Sequence, residues 1–412
     1  MTKPTEQIEQ TPQLWRYVPL SDYAVPQTTM SQSIKGGIRG LWQRLRVAGK
    51  KPEDPQKPES DLQHIPNDVL ENMAPDPDRQ WPARSLKAAL DERLGATPDE
   101  KPTFMVVGLP HAGNAEILTA LARALTWPLI TPPSTDQILS QDLNWLKEME
   151  KHNTPWVVPA LERCYLRHVH GLALVRQLFE KIYTGALGNG IIGCDSWALA
   201  YLKHVLPGRL PDAWVAQAFD DRRLSGLFYE LASSRFQKPI LFRQTDNGKF
   251  VLPVEPEQAE PDTAGTETST FIDQLAAHSR GIPDIALCLW RKALRKEPDK
   301  TMTDTALSET PSDMKTTLWV LPWDKLDHPA LPAHISPESS ILLHSLLLHN
   351  GLSQAILAEI LPFSPNVITR MALLLKDAGL VEENESLWQV TPSGYPIVRQ
   401  YLNGEGYLTD QF

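Results

Sequence analysis

Phe104-Met-Val-Val-Gly-Leu-Pro-His-Ala-Gly-Asn-Ala-Glu116 is the stretch on which the reading of this chain turns. The apolar run Phe104–Val107 has the length and composition of a buried strand. It enters a loop that opens at Gly108 and closes at Gly113. A helical repeat of Ile117, Leu118, Leu121, Ala122 and Leu125 follows. The two glycines have the spacing of the phosphate-cradling pattern G-x-x-x-x-G-K-[ST]. In that pattern the glycines let backbone N–H groups approach phosphate, the Lys meets the outer phosphates and the hydroxyl holds Mg²⁺. Here Asn114 stands in the Lys position and Ala115 in the hydroxyl position, with His111 inside the loop. Glu116 adds a negative charge at the helix N-terminus, where an anion would sit. An ordinary strand-turn-helix has the same outline, so the remaining sequence must decide.

With 412 residues the chain is long enough for two or three domains. Its 42% hydrophobic and 22% charged residues are ordinary for a globular protein. A net charge of −10 argues against coating nucleic acid by bulk electrostatics. Cys164, Cys194 and Cys288 are far apart and odd in number, which indicates neither a disulfide framework nor a zinc site. The N-terminus has no apolar signal core, and no run of 18 apolar residues occurs. A cytoplasmic location is expected.

Residues 1–83 read as mostly irregular, with linker composition from Lys50 to Pro82. Within them, residues 31–51 carry six basic residues and no acid, and Ile34, Ile38, Leu41, Trp42 and Leu45 fall at helical spacing. Such a segment, with Lys35, Arg39, Trp42, Arg44 and Arg46 as its contact residues, suits a protein partner or peripheral contact with an anionic membrane, unless it is simply a solvated tail. From Ser85 to Leu252, strand-like runs (104–107, 128–130, 156–158, 190–194) alternate with helical ones (115–125, 137–151, 172–183, 197–205), the pattern of an α/β sheet protein. The stretch 255–270 holds five carboxylates and no base, and 271–295 reads as helices.

This order resembles the AAA+ ATPases, in particular initiator-like and STAND-like members with a C-terminal winged helix. The resemblance covers roughly residues 85–412 and implies an α/β P-loop core, a helical lid (253–316) and a winged helix (317–412). It places a Walker B strand at Trp156–Val158, which should end in Mg²⁺-binding acids. Pro159 and Ala160 stand there, and Glu162 is the nearest acid. Gly190–Trp197 resembles the strand that ends in the sensor 1 residue, making Asp195 or Ser196 that residue. In an alternative register Asp195 is the Walker B acid, and Asp195 could equally be a plain helix N-cap. Ser279–Trp290 resembles the sensor 2 helix, where an Arg reaches the γ-phosphate; Asp284 holds that place and Arg280 is off the pattern.

Residues 336–403 read as helix–helix–helix–hairpin–helix, a winged helix-turn-helix. Ser336-Pro337, Ser353 and Ser364-Pro365 are start signals, and Gly379 is a C-terminal cap. From Glu338 onward three Lys/Arg face eight Asp/Glu, so the module would repel phosphates and DNA binding through it is disfavoured. The expectation is therefore a degenerate AAA+-like protein that has lost hydrolysis and acts as a scaffold or regulatory subunit. It would contact a protein partner or form homo-oligomers, with no cofactor or metal unless ATP and Mg²⁺ still bind. A divergent active ATPase and a DNA-binding regulator are the alternatives.

Overall fold

The computed structural model describes residues 14–25, 56–96, 103–150, 154–208, 210–233, 240–253, 268–298 and 316–412. Strands β1 (Tyr17–Pro19), β3 (Thr103–Gly108), β4 (Trp156–Val158), β5 (Gly190–Asp195) and β6 (Ala213–Ala216) form one sheet in the order β1-β6-β3-β5-β4. Its four longer-range neighbours β6, β3, β5 and β4 run parallel, and β1 closes one edge antiparallel. Leu129 bridges Val157 on the other edge, in the place of a further parallel strand.

The continuous apolar run of β3 is explained by burial on both faces. Phe104 and Val106 pack with Leu86, Leu90, Ile117 and Leu121 from the helices Gln80–Ala96 and Asn114–Leu125. Met105 and Val107 turn to the opposite core, shared with Trp156, Val158, Ile192 and Trp197. Close approach is needed where β4 leaves the sheet: a Cβ at Gly193 would lie 2.1 Å from the Pro159 carbonyl oxygen.

A second sheet, β2 (Gln63–His64), β7 (Ile240–Gln244), β8 (Leu294–Lys296) and β9 (Thr316–Val320), has the order β2-β8-β9-β7. The helices Phe271–His278 and Pro283–Ala293 pack beside it, with Trp290 stacked on Phe228 at 4.9 Å. Last come the helices Pro337–Leu348, Gln354–Ile360 and Pro365–Asp377, the hairpin β11 (Val381–Asn384) and β12 (Leu387–Val390), and the helix Tyr395–Gly404. Strand β10 (Leu352–Ser353) joins the hairpin in the order β10-β12-β11. Ser336 and Ser353 cap their helices with side-chain hydrogen bonds, and Gly379 takes φ 71°.

Three expectations need correction. Residues 14–25 and 56–83 are not irregular: they supply β1, β2, the helix Asn67–Met73 and the start of Gln80–Ala96. Pro66 and Pro82 sit at helix starts and Pro19 at a strand end, where a missing N–H is tolerated. Residues 240–244, counted within the 84–252 core and not read as a strand, form β7, which pairs with β9 in the second sheet. Residues 317–320, assigned to the C-terminal module, belong with Thr316 to that same sheet. The basic segment 31–51, with Lys35, Arg39, Trp42, Arg44 and Arg46, lies outside the described residues.

Candidate functional site

The site lies at the C-terminal edge of the parallel strands, where α/β sheets usually hold their ligands. Gly108 ends β3 in register with Asp195 at the end of β5. The loop then tightens through Ala112 N–H donating to the Leu109 carbonyl at 3.0 Å. His111 (φ 64°) and Gly113 (φ 67°) are both left-handed, and the helix Asn114–Leu125 starts directly after. Asn114 folds back under the loop: its amide donates to the Val106 carbonyl at 3.0 Å. A Cβ at Gly108 would sit 2.4 Å from that of Asn114, so this tuck requires glycine. Where the pattern needs a long cation reaching outward, a short amide is thus satisfied by its own strand.

A cation is nevertheless present. Arg79, just before the helix Gln80–Ala96, lays its guanidinium against the loop, 2.6 Å from where a Gly113 Cβ would be. It pairs with Asp284 in the first turn of Pro283–Ala293 through two hydrogen bonds, of 3.2 and 2.5 Å. Burial opposes the Arg79 charge, but Asp284, with Glu116 and Asp76 behind it, outweighs burial and raises its pKa. Burial raises the pKa of Asp284, and Arg79 offsets only part of that. Since a guanidinium keeps its proton, the two form an ion pair across the loop's open side.

The acids near the site are also engaged. Glu162 is buried, accepts the Asp195 N–H at 3.0 Å, and burial pushes its pKa up to about 7. Asp195 is buried beside it, and burial and the Glu162 charge raise its pKa as well. Its carboxylate accepts the Trp197 N–H at 2.9 Å, so Asp195 is the N-cap of the helix Ser196–Val205. Ser196 does not face the loop cavity: its hydroxyl donates to Asp410 at 2.7 Å, and Arg399 holds the other Asp410 oxygen at 2.7 Å.

The C-terminal helices and hairpin cover the loop. His111 meets the Tyr395 ring edge-on at 6.0 Å; burial, only partly opposed by a hydrogen bond with the Val390 backbone, lowers its pKa to about 4. His349 reaches the Glu162 carbonyl oxygen at 3.1 Å, and the Tyr165 hydroxyl donates to the Leu348 carbonyl at 3.1 Å. What remains is a cavity of about 400 Å³. His111, Gly113, Asn114, Ala115, Glu162, Asp195 and Asp284 all line it, and Asn350, Gln389 and Pro392 close it from the C-terminal side.

Beside the loop, between the end of β6 and the turn before Pro283, a narrow slot retains only about 30 Å³. Trp15, Tyr17 and Tyr23 are among its lining residues, with Trp15 edge-on to Phe219 at 4.8 Å.

Sequence reasoning brought the loop residues, Glu162, Asp195 and Asp284 to one place. It missed Arg79, the aromatic residues of the slot and Asp410. One signal for Arg79 existed: an acid in the first turn of an otherwise apolar helix calls for a counter-charge, although spacing cannot say which cation supplies it. Among the described residues no group of three or more His, Cys, Asp or Glu is placed to hold a metal ion. Among them, too, no helix is long and apolar enough to cross a membrane.

No family model matches the chain, and no curated protein matches it. Among solved structures, the RuvB Holliday junction branch migration motor of Thermotoga maritima aligns at 13% identity and a TM-score of 0.33, covering 79% of this chain and 95% of that one. Two variant forms of the same motor align at 13% and 12% identity with TM-scores of 0.32 and 0.33. These are likenesses of chain outline at low identity.

Proposed function

We propose that this chain is a non-catalytic AAA+-like scaffold or regulatory subunit that works through protein–protein contacts, with nucleotide hydrolysis lost. The observation that carries the reading is the state of the phosphate side of the loop. Asn114 is turned inward, Ala115 has no hydroxyl, and the Arg79–Asp284 pair spans the opening. Phosphoryl transfer depends on cations and Mg²⁺ aimed at the transferring group, and those groups are replaced or paired within the protein. The parallel strand order β6-β3-β5-β4, followed by the Leu129 bridge, supports the AAA+-like part of this reading.

The C-terminal unit is read as a winged helix used for packing and protein contact. Its third helix exposes Leu373 and Leu374 beside Arg370, and the hairpin exposes Glu383 and Glu385, a surface that does not attract phosphates. Residues 31–51 are assigned to partner or peripheral membrane contact.

Calorimetry with ATP, with and without Mg²⁺, together with phosphate release, tests the reading. The expected outcome is no turnover and no Mg²⁺-dependent gain in binding. Turnover abolished by Asp195→Asn would replace the scaffold reading with a divergent ATPase. Glu162 and Asp195 at the cavity wall are the observation that favours that second reading.

A further inference from the structure

The third helix of the C-terminal unit, Pro365–Asp377, buries Ile368, Met371, Ala372 and Leu375 and turns a second face outward. That face carries Asn366, Arg370, Leu373, Leu374 and Asp377, all exposed. Leu373 and Leu374 are 48% and 59% exposed. A lone exposed leucine is ordinary, but two side by side on one helix face make an apolar spot of the kind that takes a partner.

The surroundings of this spot are acidic. Residues 365–390 hold Asp377, Glu382, Glu383 and Glu385 against Arg370 and Lys376. Glu383 and Glu385 stand exposed on the hairpin, and the Lys376 ammonium lies over the Trp388 ring at 5.7 Å. An apolar spot with an acidic border fits a basic amphipathic segment.

The chain carries such a segment itself. Residues 31–51 have six basic residues and no acid, with Ile34, Ile38, Leu41, Trp42 and Leu45 at helical spacing. The described chain on either side of this segment lies against the C-terminal part of the fold. Before it, Tyr23 meets Phe412 edge-on at 5.2 Å. After it, Glu59 pairs with Lys325 at 3.9 Å. The stretch that holds Lys325 then passes the end of the third helix, where Pro329 lies 3.7 Å from the position a Gly379 Cβ would take. Val25 is six residues from Ser31 and Gln56 is five from Lys51, so each tether reaches at most about 20 Å. Short tethers hold a segment at an effective concentration on the order of mM, which favours the chain's own segment over a free partner.

We propose that residues 31–51 dock on the outward face of the third helix of the same chain, with their apolar side chains on Leu373 and Leu374 and their cations toward Asp377, Glu383 and Glu385. This rests on the reading of the C-terminal unit as a protein-contact module and names what that module contacts.

The test is the rate at which trypsin cuts full-length protein after Lys35, Arg39, Arg44 and Arg46, followed by mass spectrometry, with a synthetic peptide of residues 26–55 as the undocked reference. Cleavage follows the population of the open form, so wild type should be cut on the order of tenfold more slowly than the peptide. Leu373→Gln/Leu374→Gln removes the apolar spot, and Glu383→Lys/Glu385→Lys reverses its border; in each the rate should rise toward that of the peptide. Wild type at 1 M salt, where the screening length is about 3 Å, should also be cut faster. Circular dichroism checks folding, and if the leucine variant does not fold, the charge variant decides. A wild-type rate equal to that of the peptide, or folded variants as protected as wild type, overturns the docking. Protection that falls on dilution also overturns it, because a second copy would then supply the segment. Phosphate release from ATP in the same samples reports on the non-catalytic reading alone: turnover would sink that reading and leave the docking standing.

Discussion

At the scale of single residues, Glu162 is the side chain whose charge matters most to the fold. It is buried between Asp195 and the C-terminal unit, and burial raises its pKa from 4.5 to about 7. The folded state therefore holds this proton to higher pH than the unfolded chain does. Its contribution to stability is complete below pH 4.5 and is lost as pH rises through about 7. Glu162→Gln keeps an acceptor for the Asp195 N–H and removes the titration. The variant should be more stable than wild type at pH 8, by on the order of 2 kcal/mol, with the advantage gone at pH 4.5. Urea unfolding at the two pH values checks this; equal differences at both would show that Glu162 is not a buried proton-holder.

At the scale of elements, legibility followed burial. Strands β3, β4 and β5 are covered on both faces, so they read as unbroken apolar runs. The C-terminal helices announce themselves through Ser-Pro starts and a glycine stop. Strands β1 and β6, of three and four residues, are too short to stand out, and Tyr17 pairs with Ala216, far beyond any local signal. The helix expected over 137–151 is two pieces, Thr135–Leu139 and Asn144–Glu150, because Gln141 turns left-handed (φ 59°) between them. The candidate site divides the same way. Its loop was legible as a motif, while Arg79 depends on tertiary placement alone. Arg79 and Asp284 join the starts of two helices, and each side chain is about a quarter exposed (25% and 22%). Arg79→Ala should cost about 1–2 kcal/mol, much of it from leaving a half-buried carboxylate without its partner. A double-mutant cycle with Asp284→Ala should give a coupling of about 1–2 kcal/mol by denaturant titration. Additive effects would mean that the pair does not clamp the helices.

At the scale of the whole molecule, neutral histidines sit at the seams. His111 lies between the loop and the C-terminal hairpin, and His349 between the C-terminal helices and Glu162. His278 lies against Trp323 and His328. Burial lowers each pKa from 6.5 to about 4, so the folded state refuses protons that the unfolded chain accepts. Their contribution is complete above pH 6.5 and is lost as pH falls through about 4. Three such groups outweigh the opposite trend of Glu162. Thermal unfolding should therefore shift to lower temperature between pH 6.5 and pH 4, and more steeply in Glu162→Gln. A melting temperature that stays flat over that range would show that these seams take up protons without opening.

The edge position of β1 has a consequence in time as well. Strand β1 spans Tyr17–Pro19, yet its partner strand begins only at Ala213. A pairing of such long sequence separation must wait for the loop between to close. During synthesis β1 emerges well before Ala213–Ala216 exists to pair with it. The edge strand therefore spends the making of the intervening chain without its partner, and so does the parallel pairing of β3 with β6.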